Sequence, residues 1–161
     1  GFTNNFEYKG FDLSVFFQWS YGNDVLNANR LFFDSGFQKK RELNQYASYT
    51  DRWTPENPNS NIPAATNSSS NLVISSRVVE DASFLRLKTV TLGYTVPKTF
   101  LKKYKIDNAR LYVAAQNLWT ITGYSGYDPE VSIRSGGLTP GLDFSSYPRA
   151  LSVSFGINLG F

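Results

Sequence analysis

From Leu151 to Phe161 every second residue is apolar, namely Leu151, Val153, Phe155, Ile157, Leu159 and Phe161, while Ala150, Ser152, Ser154, Gly156, Asn158 and Gly160 between them are small or polar. Side chains alternate across a β-strand, so this period of two predicts a strand over 150–161 with one apolar face. The same alternation fills 11–21, with Phe11, Leu13, Val15, Phe17, Trp19 and Tyr21 opposed to Asp12, Ser14, Phe16, Gln18 and Ser20. Before it, 2–8 sets Phe2, Phe6 and Tyr8 against Thr3, Asn5 and Glu7, and Lys9-Gly10 supplies a two-residue turn, so the two segments predict a hairpin. The stretch 84–97 reads as a strand whose parity changes: Leu85 and Leu87 share one phase, Val90, Leu92, Tyr94 and Val96 the other. A β-bulge near Lys88-Thr89 reconciles the two. In 109–124, Leu111, Val113, Ala115, Trp119 and Ile121 alternate with Arg110, Tyr112, Gln116, Thr120 and Thr122.

Between these strands the pattern stops. Residues 22–83 and 125–149 predict long loops, the first dense in Pro, Asn and Ser over 51–71. Within it, Phe37, Leu43, Tyr46, Tyr49 and Trp53 recur at mostly three- or four-residue intervals and predict a short amphipathic helix near 37–53. The five expected strands are thus joined by short, long, short and long connections. Outer-membrane barrels sort their connections in this way, with short turns on the periplasmic side and long loops outside. Strand length agrees: about 12 residues at roughly 3.3 Å each, tilted about 45°, span about 28 Å against an apolar band of roughly 25 Å. Trp19, Tyr21, Trp119 and Tyr124 fall at the long-loop ends of their strands, where an interfacial aromatic belt is expected.

Composition narrows the function. The 161 residues suit one domain, and aromatic residues make up 16% of them, with 13 Phe and 10 Tyr. Absence of Cys excludes disulfides and thiol chemistry, and absence of His removes the usual general base and the commonest metal ligand, which lowers the expectation of catalysis. The net charge of +3 includes two basic clusters, Lys39-Lys40-Arg41 and Lys98 with Lys102, Lys103 and Lys105. Neither accompanies a recognition motif, so no nucleic-acid partner is expected. No run reaches the roughly 18 apolar residues of a spanning helix, a test that does not bear on membrane strands. The first residues, GFTNNFEYKG, carry neither Met nor a signal peptide and read as a strand in progress, hence as a piece of a longer protein.

Four stretches, EDASFLRLKTVTLGYTVP, RLYVAAQNLWTITGYSGYDPE, DRWTPENPNSNIP and YPRALSVSFGINLGF, resemble the C-terminal segment of SusC/RagA-type TonB-linked outer-membrane transporters of Bacteroidetes. The resemblance covers essentially the whole chain. It implies an all-β fold of antiparallel up-and-down strands forming the C-terminal part of a transmembrane barrel, in the Gram-negative outer membrane, without the plug and the TonB-contacting region. It further implies import of glycans or peptides with energy passed through TonB, a SusD-like lipoprotein as lid, and outer-membrane lipid around the wall. Barrel proteins of this kind commonly end on an alternating strand with a terminal aromatic that the barrel-assembly machinery reads, and Val153, Phe155, Ile157, Leu159 and Phe161 match that signal.

Tyr46, Tyr49, Trp53, Tyr124 and Tyr127, with Asp128, are the candidate contacts to ligand or lid, since exposed rings stack on sugars. Packing of the loops on one another is the competing role for each ring. Asp128 and Glu130 in GYDPE are a carboxylate pair flanking a proline, read as turn formers, and no catalytic residue, metal site or cofactor is expected. SGGLTPG (135–141) lacks the strand-to-helix setting and the Lys of a phosphate loop. Asp12, Ser14, Gln18, Gln116 and Thr120 are expected on the lumen or plug side of the wall. Two functions remain: a wall segment of a nutrient importer, or a soluble β-sandwich module that binds carbohydrate through exposed rings.

Overall fold

The structure is a computed structural model that describes residues 1–36, 44–66, 71–130 and 141–161. In chain order its strands and helices are β1 (Phe2–Tyr8), β2 (Phe11–Ser20), β3 (Asp24–Asn27), α1 (Ala28–Phe33), β4 (Val79–Asp81), β5 (Phe84–Thr95), α2 (Lys98–Leu101), β6 (Asn108–Thr122), β7 (Leu142–Asp143) and β8 (Ser152–Gly160). They divide into two compact units. One holds Gly1–Tyr21, Ser83–Thr122 and Arg149–Phe161; the other holds Gly22–Ala82 and Gly123–Pro148.

The first unit is a five-stranded antiparallel sheet in the order β1-β2-β5-β6-β8, each strand beside the next one of its unit along the chain. The hairpin turns on Lys9 and Gly10, both at positive φ (48° and 87°), the type I′ geometry whose twist matches that of the flanking strands. The register accounts for the parity change in β5. Against β2, Phe16 faces Thr89 and Phe17 faces Leu87, so Lys88 is an extra residue. Against β6, Leu87 faces Trp119 and Thr89 faces Gln116, so β6 in turn bulges at Asn117-Leu118, where Asn117 takes a left-handed φ of 51°. These slips keep each apolar series on one side of the sheet.

Antiparallel partners share a face, so the register assigns every side chain. One face carries Phe2, Asn4, Phe6 and Tyr8 from β1, Phe11, Leu13, Val15, Phe17 and Trp19 from β2, and Leu85, Leu87, Val90, Leu92 and Tyr94 from β5. It continues with Leu111, Val113, Ala115, Trp119 and Ile121 from β6 and Val153, Phe155, Ile157 and Leu159 from β8. The opposite face carries Asp12, Ser14, Gln18, Thr91, Arg110, Gln116, Thr120, Ser154 and Asn158. A sandwich buries the apolar face of each sheet, whereas here the apolar face stands exposed, with Phe155 at 82%. That is not a sandwich's arrangement.

The second unit departs from the expectation of long loops. Its described residues hold a three-stranded sheet, β4-β3-β7, with β3 antiparallel to β4 and parallel to β7. Val25, Ala82 and Tyr124 form its apolar centre, and Asn27, Asp34, Ser35 and Asp143 are buried around it. The helix expected near 37–53 is, in its described part, a single 3-10 turn at Ala47–Asp51; residues 37–43 lie outside the described residues. Distant partners take the local groups there. Tyr46 N donates to Phe33 O at 2.9 Å, Ser48 Oγ to Asp34 Oδ1 at 3.1 Å, and Trp53 N to Ile62 O at 2.8 Å.

Candidate functional site

The two faces of the sheet differ in chemistry as sharply as in composition. On the polar face Asp12 and Arg110, on β2 and β6, pair across the intervening β5: Arg110 Nε donates to Asp12 Oδ1 at 3.0 Å and Nη2 to Oδ2. They meet over Gly93, where an added Cβ would overlap the charged ends of both side chains and displace the pair from this position. Tyr112 lies in the same way over Gly156 of β8. The expected lining residues Asp12, Ser14, Gln18, Gln116 and Thr120 all fall on this face. Apart from Asn4 on β1, the paired residues of the apolar face are rings and aliphatic side chains over five strands, a surface that water penalises and lipid tails do not. Val153, Phe155, Ile157 and Leu159 lie on its β8 margin, with Phe161 exposed just beyond the strand.

In the second unit the organising groups are acids that local pattern reading overlooks. Glu80 accepts from Ser125 N at 2.9 Å and Ser125 Oγ at 2.8 Å, and also from Asn27 Nδ2 at 3.1 Å and Arg30 Nη1 at 3.3 Å. Burial alone would raise its pKa, but these hydrogen bonds outweigh burial and hold the carboxyl below the ordinary glutamate range. Asp34, fully buried, accepts from Ser48 Oγ and stands 3.5 and 3.6 Å from the guanidinium groups of Arg30 and Arg77. Asp143 accepts the Tyr124 hydroxyl at 2.7 Å. None of these acids sits in an alternating or helical period, so only their spatial convergence marks them.

Of the candidate contacts, Tyr124 is a core residue, 6% exposed, rather than a surface or belt ring. Burial, then the Asp143 carboxylate, raises its pKa well above that of a free tyrosine. Asp128 is buried and its Oδ1 accepts Glu130 N at 2.9 Å, the local bond of an Asx turn. Tyr46 packs on Phe33 with ring centroids 5.5 Å apart and stays partly exposed. Its pKa is raised first by burial and then by Tyr127, Asp143 and Asp34. Tyr49 lies under the Arg52 guanidinium at 5.2 Å. Trp53 is exposed, and Tyr127 more so at 82%. The rings available to an outside partner are therefore Trp53, Tyr127 and the rim of Tyr46. Among the described residues no three His, Cys, Asp or Glu side chains gather as metal ligands. The Lys39-Lys40-Arg41 cluster and most of SGGLTPG lie outside the described residues.

No protein-family model matches the sequence. Proteins of Formosa agariphila do, among them TonB-dependent receptor P3, 38% identical over 166 residues, and TonB-dependent receptor P26, 36% identical. The TonB-dependent receptor SusC of Bacteroides thetaiotaomicron is 29% identical. Each match covers 100% of this chain but only 15 to 16% of the relative, so the chain spans about a sixth of those proteins. Among solved structures, the RagAB peptide transporter superposes with a TM-score of 0.78 at 31% identity, covering 96% of this chain and 16% of that one. The RagAB peptide importer in its open-open state gives 0.79 at 30% identity, over 99% of this chain and 17% of that one.

Proposed function

Because this chain belongs to the SusC/RagA type of TonB-dependent outer-membrane receptors, we propose that it builds part of the wall and of the outer loops of a nutrient importer. The single observation that carries this reading is the sheet's division into one exposed face that is apolar at nearly every paired position and one polar face crossed by the Asp12–Arg110 pair. The apolar face meets lipid, and the polar face meets the water, plug or cargo inside the barrel. The unit of Gly22–Ala82 and Gly123–Pro148, whose two pieces follow β2 and β6 along the chain, supplies the outer loops in this reading. The segment itself performs no catalysis.

The cargo is a glycan or a peptide. Trp53 and Tyr127, exposed on the loop unit, favour a sugar, since flat rings stack on pyranose faces; the likeness to the RagAB peptide importer favours a peptide. A surface lipoprotein of the SusD type covers the mouth, TonB supplies energy through parts of the receptor beyond this chain, and the alternating face of β8 is read by the assembly machinery. Uptake of labelled oligosaccharides and peptides by cells carrying the full-length receptor tests the reading. Trp53→Ala with Tyr127→Ala is expected to lower uptake of the true cargo about tenfold, the effect of losing two stacking contacts. Unchanged uptake of both classes would remove these rings from the cargo or lid surface.

A further inference from the structure

The connection between β5 and β6 carries the densest positive charge among the described residues, and nothing in the import reading uses it. Lys98 opens α2, Lys102 and Lys103 lie in the 3-10 turn Lys102–Tyr104 that follows it, Lys105 comes directly after, and all four are exposed. Between them Phe100 and Tyr104 are exposed as well, while Leu101 is buried. Lys105 closes the turn in a left-handed conformation (φ 55°), its N–H donating to Lys102 O at 3.3 Å. The segment is therefore a fixed platform of alternating cations and rings.

Its side of the sheet can be read from burial. Ala109 belongs to the apolar face, paired with Leu159, and is 7% exposed, yet Leu111 and Leu159 beside it on that face are 46% and 53% exposed. α2 packs against β6, and at Ala109 itself Val96 N donates to the backbone O at 2.9 Å. The connection thus folds over the apolar side of the wall. The hairpin turn ends at the same level: Thr95 N donates to Gly10 O at 2.8 Å, and Lys9 stands 5.1 Å from the ring of exposed Tyr8. Both short connections accordingly set lysine beside an exposed ring at one rim of the apolar face. Against these five lysines stand Glu7 and Asp107, since Asp12 is engaged by Arg110.

We propose that this rim is a lipid-anchoring surface that seats on the anionic headgroups of the leaflet at the short-turn end, with Phe100 and Tyr104 at the level of the acyl boundary. The lysines neutralise headgroup phosphates, and long lysine stems lie along apolar surface while their charges reach the polar layer. Aromatic side chains favour the same depth, which is why the two residue types are interleaved here. The inference rests on the importer reading for the existence of a bilayer around the apolar face.

Native mass spectrometry of the full-length receptor tests it, with phosphatidylglycerol and phosphatidylcholine titrated separately. The variants are Lys98→Gln with Lys102→Gln, Lys103→Gln and Lys105→Gln, and the same four positions changed to Arg. The expected result is a preference for phosphatidylglycerol that falls about tenfold in the Gln variant and persists in the Arg variant, with glycerol phosphate unable to compete. Equal retention by the parent and Gln variants, competition by glycerol phosphate, or equal loss in the Arg variant would overturn the proposal. If the lipid preference is unaffected but the receptor still inserts and imports, only the anchoring surface fails; a receptor that does not enter bilayers at all would instead refute the importer reading.

Discussion

Tyr124 and Asp143 illustrate how few residues hold the loop unit together. The phenol sits against Val25 and Ala82 while its hydroxyl donates to a buried carboxylate, so its removal leaves Asp143 without that donor. Tyr124→Phe is expected to cost about 1–3 kcal/mol of local stability, the penalty for an unsatisfied buried group, seen as faster amide hydrogen exchange over 22–36 and 141–148. Glu80 sets the pH response. Its folded pKa lies below the ordinary value of 4.5, so the stability it contributes is fully present above that value and is lost as pH falls through the depressed folded pKa. Exchange protection of the loop unit is expected to hold from pH 7 to about 5 and to drop below 4.5, and Glu80→Gln should flatten that acid limb. An acid limb unchanged in Glu80→Gln would assign it to other carboxylates. None of these roles was legible from local pattern. Asn27 reaches Ser125 across 98 positions and Asn29 Oδ1 accepts from Ser145 N across 116, and no short periodicity encodes pairs so far apart.

The strands, by contrast, are written in the chain, because a strand with unlike faces must alternate and a two-residue turn must tolerate positive φ. The apolar series, the Lys9-Gly10 turn and the slip at Lys88 follow from that constraint alone. The matching bulge at Asn117-Leu118 is hidden because it restores the parity it interrupts: Ala115 and Trp119 remain in phase across it. Over 44–53, the described part of the helix expected near 37–53, the pattern misleads for the opposite reason. Its aromatic spacing is real, but Tyr46 and Tyr49 pack on Phe33 and under Arg52 rather than along one helix face. At this scale the test is substitution by face. Phe155→Arg, on the apolar side of β8, is expected to cost about 2–4 kcal/mol if it lies near the bilayer midplane, reducing the heat-modifiable folded form on gels. Asn158→Arg, on the polar side, should leave that form intact. Gly93→Val should also reduce it, since a side chain there displaces the Asp12–Arg110 pair.

As a whole the chain joins two kinds of order: a sheet whose sidedness is local and repetitive, and a loop unit whose cohesion is non-local and polar. The sheet explains why five strands can leave so much apolar surface uncovered, for lipid tails impose no penalty on it. The central claim is that this exposed face meets the bilayer and the opposite face does not. It is tested most directly by single cysteine substitutions along β8, which has no native cysteine to compete within this segment. Each would be spin-labelled in the full-length receptor in lipid and read for collision with oxygen and with a water-soluble nickel chelate. The account predicts oxygen-rich, chelate-poor labels at Val153, Phe155, Ile157 and Leu159, alternating with the reverse at Ser152, Ser154, Gly156 and Asn158. Equal chelate access on both faces would contradict it.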